Sequence, residues 1–277
     1  MNRTIIYHKN CFDGICAAWV INKRFPHSKL RAFSYDMKFL FNEYGKEDQI
    51  IIVDFSFKKD IMLAINEQCG SLLVIDHHKT AEKECEGLEF CHFDMNESGA
   101  SLAWKFFFPN KEVPRLVQYI RDRDLWKFEL PNSEIINSFI QSFPMDVHEY
   151  EMLYQNLEST TGMLEAQLGG TAINRYKDTM VKAICENAKE SNFFDQLVDD
   201  PIPMVNTSIL FSEVGHELCK IHGNRPFAAY YFDRVKDGVR QYGLRSIGDF
   251  DVSEVAKKFG GGGHKNSAGF EQKLSEI

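Results

Sequence analysis

The sequence predicts an α/β protein: a parallel-sheet domain, a helical linker and a smaller α/β domain. Three observations predict it. First, "TIIY" (4–7), "QIIIVDF" (49–55) and "SLLVID" (71–76) are short runs that are apolar throughout, the pattern of strands covered on both faces. Second, helical patterns lie between and after them: "DGICAAWVINKRF" (13–25), "KKDIMLAINEQC" (58–69), "ESGASLAWKFFF" (97–108) and "VPRLVQYIRD" (113–122). Strands alternating with helices make βαβ units and a parallel sheet. Third, the texture changes from about residue 146 to 192, which is mostly polar and helix-forming, with an expected break at Gly169–Gly170.

Pro201 and Pro203 in "DDPIPMVN" (199–206) end the helical region. Beyond them lie strand-like "FAAYYFD" (227–233) and "GVRQYGLRS" (238–246), a short helix "VSEVAKKF" (252–259) and a glycine tract. No internal repeat or low-complexity tail interrupts this plan.

Composition narrows the function. The chain has 277 residues, enough for one large domain or two smaller ones, with 44% hydrophobic and 26% charged residues and a formal net charge of −8. An acidic chain is a poor general grip for duplex nucleic acid, whose affinity rests on many phosphate contacts from Lys and Arg. A small anionic substrate is compatible if cations concentrate in one site. The seven cysteines form no CxxC pair and follow no apolar leader, which predicts a reduced, cytoplasmic protein. No run of about 18 apolar residues predicts a membrane span.

The apolar runs all stop at polar groups. The first ends in His8, with Asp13 just beyond; the second ends in Asp54; the third ends in Asp76, His77 and His78. In a parallel sheet the C-terminal strand ends share one edge, and open α/β sheets bind their ligands outside it. One such His is ordinarily a hydrogen-bonding residue and one such Asp a helix cap. Three strand ends bearing these groups point to a shared site. Clustered carboxylates repel, and cations relieve this; mixed carboxylate and imidazole donors suit Mn²⁺, Mg²⁺, Fe²⁺ or Zn²⁺. Two ions about 3.5–4 Å apart lower the pKa of a shared water, so the pattern suggests metal-assisted hydrolysis of a phosphate ester.

The second signal is "FGGGGHKNSAGF" (259–270). Consecutive glycines let backbone approach a ligand and turn N–H groups toward an anion. The tract lacks the order of a Walker A loop. It reads as a flexible linker or a ligand loop, and the His and "SAGF" that follow favour the second. Arg245, at the end of "YGLRS", is a candidate partner for phosphate.

Together these residues resemble the DHH phosphoesterase family, in the branch that carries a DHHA1 domain. "YHKNCFDG" (7–14), "VDFS" (53–56), "DHH" (76–78) and "RDRDLW" (121–126) match its four metal motifs in order, and "LRS" (244–246) and "GGGGHKNSAGF" match the DHHA1 signature. The resemblance implies a DHH catalytic domain over 1–135, a helical linker over 136–199 and a DHHA1 substrate-binding domain over 200–277, with the active site in a cleft. It implies two divalent ions, usually Mn²⁺, with Mg²⁺ as the alternative. Asp54 would bridge them, His8 would hold the first, and Asp13, His77 and Asp122 would hold the second. Asp122 is assigned over Asp124 from its place in the motif. His78 would contact the scissile phosphate and help protonate the leaving oxygen, with Asp76 orienting the pair. Arg245, Gly261, Gly262, Gly263 and His264 would grip the substrate's phosphate. One departure stands out: many members carry two Asp in the first motif, and here Cys11 stands near the place of the other.

Within this family the expected activity is phosphodiester hydrolysis of short single-stranded oligonucleotides, since neither the charge nor the length supplies a long binding track. The alternatives are a phosphatase of 3′-phosphoadenosine 5′-phosphate, a dinucleotide phosphodiesterase and a non-catalytic nucleotide-binding module. No duplex binding and no membrane partner are expected, and the oligomeric state is open.

Overall fold

A computed structural model of the chain describes residues 2–34 and 37–276. It divides into two compact units, 1–174 and 175–277.

In the first unit β1 (Asn2–His8), β2 (Lys29–Phe33), β3 (Asp48–Val53), β4 (Ser71–Asp76) and β5 (Cys91–Phe93) form a parallel sheet in the order β2-β1-β3-β4-β5. The helices of this unit are α1 (Phe12–Arg24), α2 (Lys59–Gln68), α3 (Lys79–Glu84), α4 (Gly99–Phe107), α5 (Arg115–Asp124), α6 (Ser133–Gln141), α7 (Val147–Glu158) and most of α8 (Thr160–Cys185). The unbroken apolar runs are explained by burial on both faces. Ile5, Ile51, Val53 and Ile75 pack with α1, α4 and α5; Ile6, Ile50, Ile52 and Val74 pack with Met62 and Ile65 of α2. Full burial of such a side chain contributes about 1.5–3 kcal/mol.

The strand order sets the site. The chain leaves β1 for β2 on one side, then returns to β3 on the other. That reversal opens a crevice at the C-terminal ends of β1 and β3, where His8 and Asp54 stand.

The helical stretch differs from the sequence expectation at Gly169–Gly170. Helix α8 runs through both glycines without a break. A Cβ on Gly170 would stand 2.1 Å from the Ile135 carbonyl oxygen, and one on Gly169 would stand 3.1 Å from the Phe139 ring. The glycines let α8 lie close against α6; tertiary contact overrides their weak helix propensity.

The second unit carries the end of α8 and a mixed sheet of β6 (Lys189–Ser191), β7 (Ile202–Asn206), β8 (Ala228–Arg234), β9 (Val239–Arg245), β10 (Gly262–His264) and β11 (Ser267–Lys273). Its order is β10-β11-β9-β8-β7-β6, with only β7 and β8 parallel among the described pairs. Helices α9 (Phe211–Ile221) and α10 (Val252–Lys258) cover it. Gly243 faces Tyr230 across the β8–β9 pair, and a Cβ there would meet Tyr230 Cζ at 1.9 Å. Gly243→Ala is therefore expected to destabilise this unit by about 1–3 kcal/mol, the range for overpacking; a denaturant midpoint unchanged from wild type would contradict that packing. Among the described residues no helix is long and apolar enough to cross a membrane.

Candidate metal centre

Asp54 lies at the middle of the crevice. It leaves β3 in the left-handed region (φ 53°), which Asp enters more readily than most residues, while its N–H still donates to the Ile75 carbonyl at 3.0 Å. The two carboxylate oxygens face different imidazoles. Oδ1 is 3.0 Å from His77 Nε2, and Oδ2 is 3.6 Å from His8 Nδ1.

Asp13 sits in the first turn of α1 but caps another helix. Its carboxylate accepts the N–H groups of Gly99 (2.5 Å) and Ala100 (3.1 Å) at the start of α4, a favourable place for an anion. His77 Nε2 lies 3.7 Å from Asp13 Oδ2. Asp76, fully buried, accepts from Ser56 Oγ (2.6 Å), from the His77 N–H (2.7 Å) and from His78 Nδ1 (2.7 Å). The His78 ring is thereby held in one orientation.

The acids of α5 have separate tasks. The Asp122 carboxylate turns to its own chain and accepts from the N–H groups of Glu129 (3.0 Å) and Leu130 (3.1 Å). It does not join the cluster. Asp124 does, with Oδ2 3.5 Å from His77 Nε2. Helix phase does not announce this: Asp122 is the buried acid of α5, three residues after buried Tyr119, whereas Asp124 is only half-buried. Ser56 and the Gly99–Ala100 helix terminus also belong to the site, and neither was assigned a role from the sequence.

Donor atoms of Asp13, Asp54 and His77 lie within 4.8 Å of one another, as do those of His8, Asp54 and His78. Cys11 joins neither group among the described residues. Burial pushes its thiol well up, and Asp54, Asp124 and Asp13 push it further. Burial also raises the Asp13 carboxyl, reinforced by Asp124 and Asp54, to well above the usual carboxylate range. Asp124 is raised by burial and by Asp54, with His77 opposing. Burial acts upward on Asp54 too, but the hydrogen bond with His77 and the nearby His8 imidazole outweigh it and hold that carboxyl well below the usual range. For His77 the burial cost is overcome by Asp124, Asp54 and Asp13, so its imidazolium is favoured. Asp54 Oδ2 and Asp124 Oδ2 are buried without a hydrogen-bond partner. Buried anionic oxygens of this kind are costly unless a cation meets them. Oxygen and imidazole donors fit a hard or borderline divalent ion such as Mn²⁺ or Mg²⁺.

In the second unit, strand register places His264 opposite Ser267 and Ser267 opposite Arg245, at one end of the sheet. Arg245 Nη2 donates to Ser212 Oγ at 3.0 Å, and its guanidinium lies 5.6 Å from the Tyr230 ring centre. The glycine tract is part loop and part strand, with Gly260 (φ 81°) and Gly263 (φ 143°) in backbone conformations that favour glycine.

Over 99% of its length the chain matches RecJ exonuclease bound to manganese, covering 86% of that chain with a TM-score of 0.55 at 13% identity. The chain has the fold of that RecJ structure. Among curated relatives, the chain is 27% identical to an uncharacterized protein of Acanthamoeba polyphaga mimivirus over 96% of its own length. It is 23% identical to oligoribonuclease NrnB of Bacillus subtilis over 82% of its length. It spans 66% and 60% of those two proteins, under two thirds of each. No protein-family model matches.

Gly99 ties the α4 terminus to the cluster. A Cβ there would lie 2.6 Å from Asp54 Cβ and 2.9 Å from Asp13 Oδ2. Gly99→Ala is expected to spread the two carboxylates and weaken divalent-ion affinity about 10–100-fold, the usual cost of disturbing the support of a metal site. Calorimetric titration with Mn²⁺ reads this directly, and an unchanged affinity would contradict the packing.

Proposed function

We propose that the chain is a divalent-metal-dependent phosphoesterase that hydrolyses phosphodiester bonds of short single-stranded oligonucleotides. The observation that carries the reading is Asp54, a buried carboxylate whose two oxygens face His77 and His8 separately. A carboxylate so placed suits two ions. His8 and Asp54 would hold one; Asp54, Asp13, His77 and Asp124 would hold the other, Asp124 taking the place that motif position gave to Asp122. Two divalent ions there supply a Lewis acid for the phosphoryl oxygens and lower the pKa of an attacking water.

The remaining roles belong to the chain's own side chains. Asp76 fixes His78 through Nδ1 and leaves Nε2 as the nitrogen directed away from the carboxylate. Burial opposes the His78 imidazolium, but Asp76 outweighs it and raises the pKa, which suits a group that protonates the leaving oxygen. In the second unit Arg245, His264 and the backbone of Gly261, Gly262 and Gly263 are assigned to the substrate's phosphate. Oligoribonuclease NrnB and the RecJ exonuclease fold support a nucleic-acid substrate.

The test is product formation from an end-labelled five-residue RNA with Mn²⁺, run beside 3′-phosphoadenosine 5′-phosphate. A ladder of shortened RNA that disappears with chelator and in Asp54→Asn is the expected result. Phosphate release from the mononucleotide alone would replace the reading with a nucleotide phosphatase. Turnover of neither would overturn it.

A further inference from the structure

Asp122 organises the chain that follows it. Its backbone carbonyl accepts from the N–H groups of Lys127 (2.9 Å) and Phe128 (3.4 Å), while its carboxylate takes those of Glu129 and Leu130. The wrapping holds Trp126 (φ 55°) and Phe128 (φ 51°) in the left-handed region, which bulky residues rarely enter. Their rings meet edge to face, centroids 5.0 Å apart at 81°. The Arg123 guanidinium lies 5.9 Å from the Trp126 ring centre and 5.7 Å from that of Phe12. All three aromatic residues are half-buried, and none belongs to the hydrophobic clusters of the described residues. Backbone strain of this kind collects at functional positions.

Their placement says which function. Phe12 adjoins Asp13 of the metal cluster, and Trp126 follows Asp124 by two residues, at most about 7 Å of backbone. Two segments distant in sequence thus place Phe12 and Trp126 close along the chain to carboxylates of the cluster, with the Arg123 guanidinium, which acts on Asp124, near both rings. Flat π-surfaces with a cation are what a nucleobase stacks on. A substrate made of phosphate alone has no use for them.

We propose that Trp126, braced by Phe128 and Arg123, is the stacking platform for the nucleobase next to the scissile phosphodiester. This rests on the oligonucleotide reading above. Base–aromatic stacking predicts that Trp126→Ala raises KM for the five-residue RNA about 5- to 150-fold with little change in kcat. Trp126→Phe, which keeps a ring, should recover most of the loss. The same RNA with an abasic residue at the cleaved end should show one KM in wild type and Trp126→Ala. Loss of kcat on both substrates alike, or an unchanged KM for the intact RNA, would overturn the platform.

A second measurement separates this from failure of the catalytic reading. Of the three tryptophans, Trp19 (2% exposed) and Trp104 (3% exposed) are buried, so Trp126 is the one placed to report a ligand. In chelator, adenosine 5′-monophosphate should quench tryptophan emission saturably and ribose 5-phosphate should not. Quenching by both, or by neither, overturns the platform whether or not the chain turns over RNA.

Discussion

Asp54→Asn is expected to lower turnover of the five-residue RNA at least about 1000-fold and to abolish the Mn²⁺-dependent rise in melting temperature. Placing charge where a phosphoryl group reacts is worth several kcal/mol, and each 1.36 kcal/mol is tenfold in rate. Asn keeps the size of the side chain and one acceptor for His77, so the loss isolates the charge. The substitution also has a signature without metal. Because His77 and His8 hold the folded-state carboxyl of Asp54 below its unfolded value, its ionised form stabilises the protein at neutral pH. That contribution is present above the unfolded pKa, about 4, and is lost as pH falls through the folded value. Asp54→Asn should therefore melt lower than wild type in chelator at pH 7, with the gap closing in acid. A variant that retains turnover, or that melts higher than wild type in chelator, would remove Asp54 from the centre of the site.

Much of this was legible because burial and chemistry reinforce each other in particular residues. Strands β1, β3 and β4 are apolar on both faces, and each delivers a ligand-type residue at its C-terminal end. Strand β2, "KLRAF", was not legible: an edge strand pairs on one side only and its first four residues are not fully buried. Strand β5 has three residues, too few for a period. The glycines of α8 read as a break because the sequence records their propensity but not the Ile135 carbonyl they pack against. Partition of work between Asp122 and Asp124 was hidden for a related reason. A motif position says that an acid is needed, whereas the loop that folds back onto the Asp122 carboxylate decides which acid points where.

That partition predicts opposite outcomes for two neighbouring substitutions. Asp124 is held above the usual carboxylate range by burial and by Asp54, so its ionisation opposes folding between its unfolded and folded pKa values and at every pH above. Asp124→Asn should therefore raise the melting temperature in chelator at pH 8. The gain should vanish below about pH 4, where the carboxyl is protonated in both states. The same variant should lose the Mn²⁺-dependent rise, the exchange of stability for function expected of a strained site. Asp122→Asn should do the reverse. Its carboxylate receives two backbone N–H groups, and an amide can accept only one while turning its NH₂ toward the other. Losing a hydrogen bond to a charged group at this part-buried place costs about 1 kcal/mol, and each kcal/mol lowers melting by about 2–4 °C in a domain of 150–250 residues. The Mn²⁺-dependent rise should survive, because Asp122 holds the chain and not the ion. If Asp122→Asn abolishes that rise while Asp124→Asn keeps it, the ligand is Asp122 and the loop from 126 to 130 must rearrange when the ion binds.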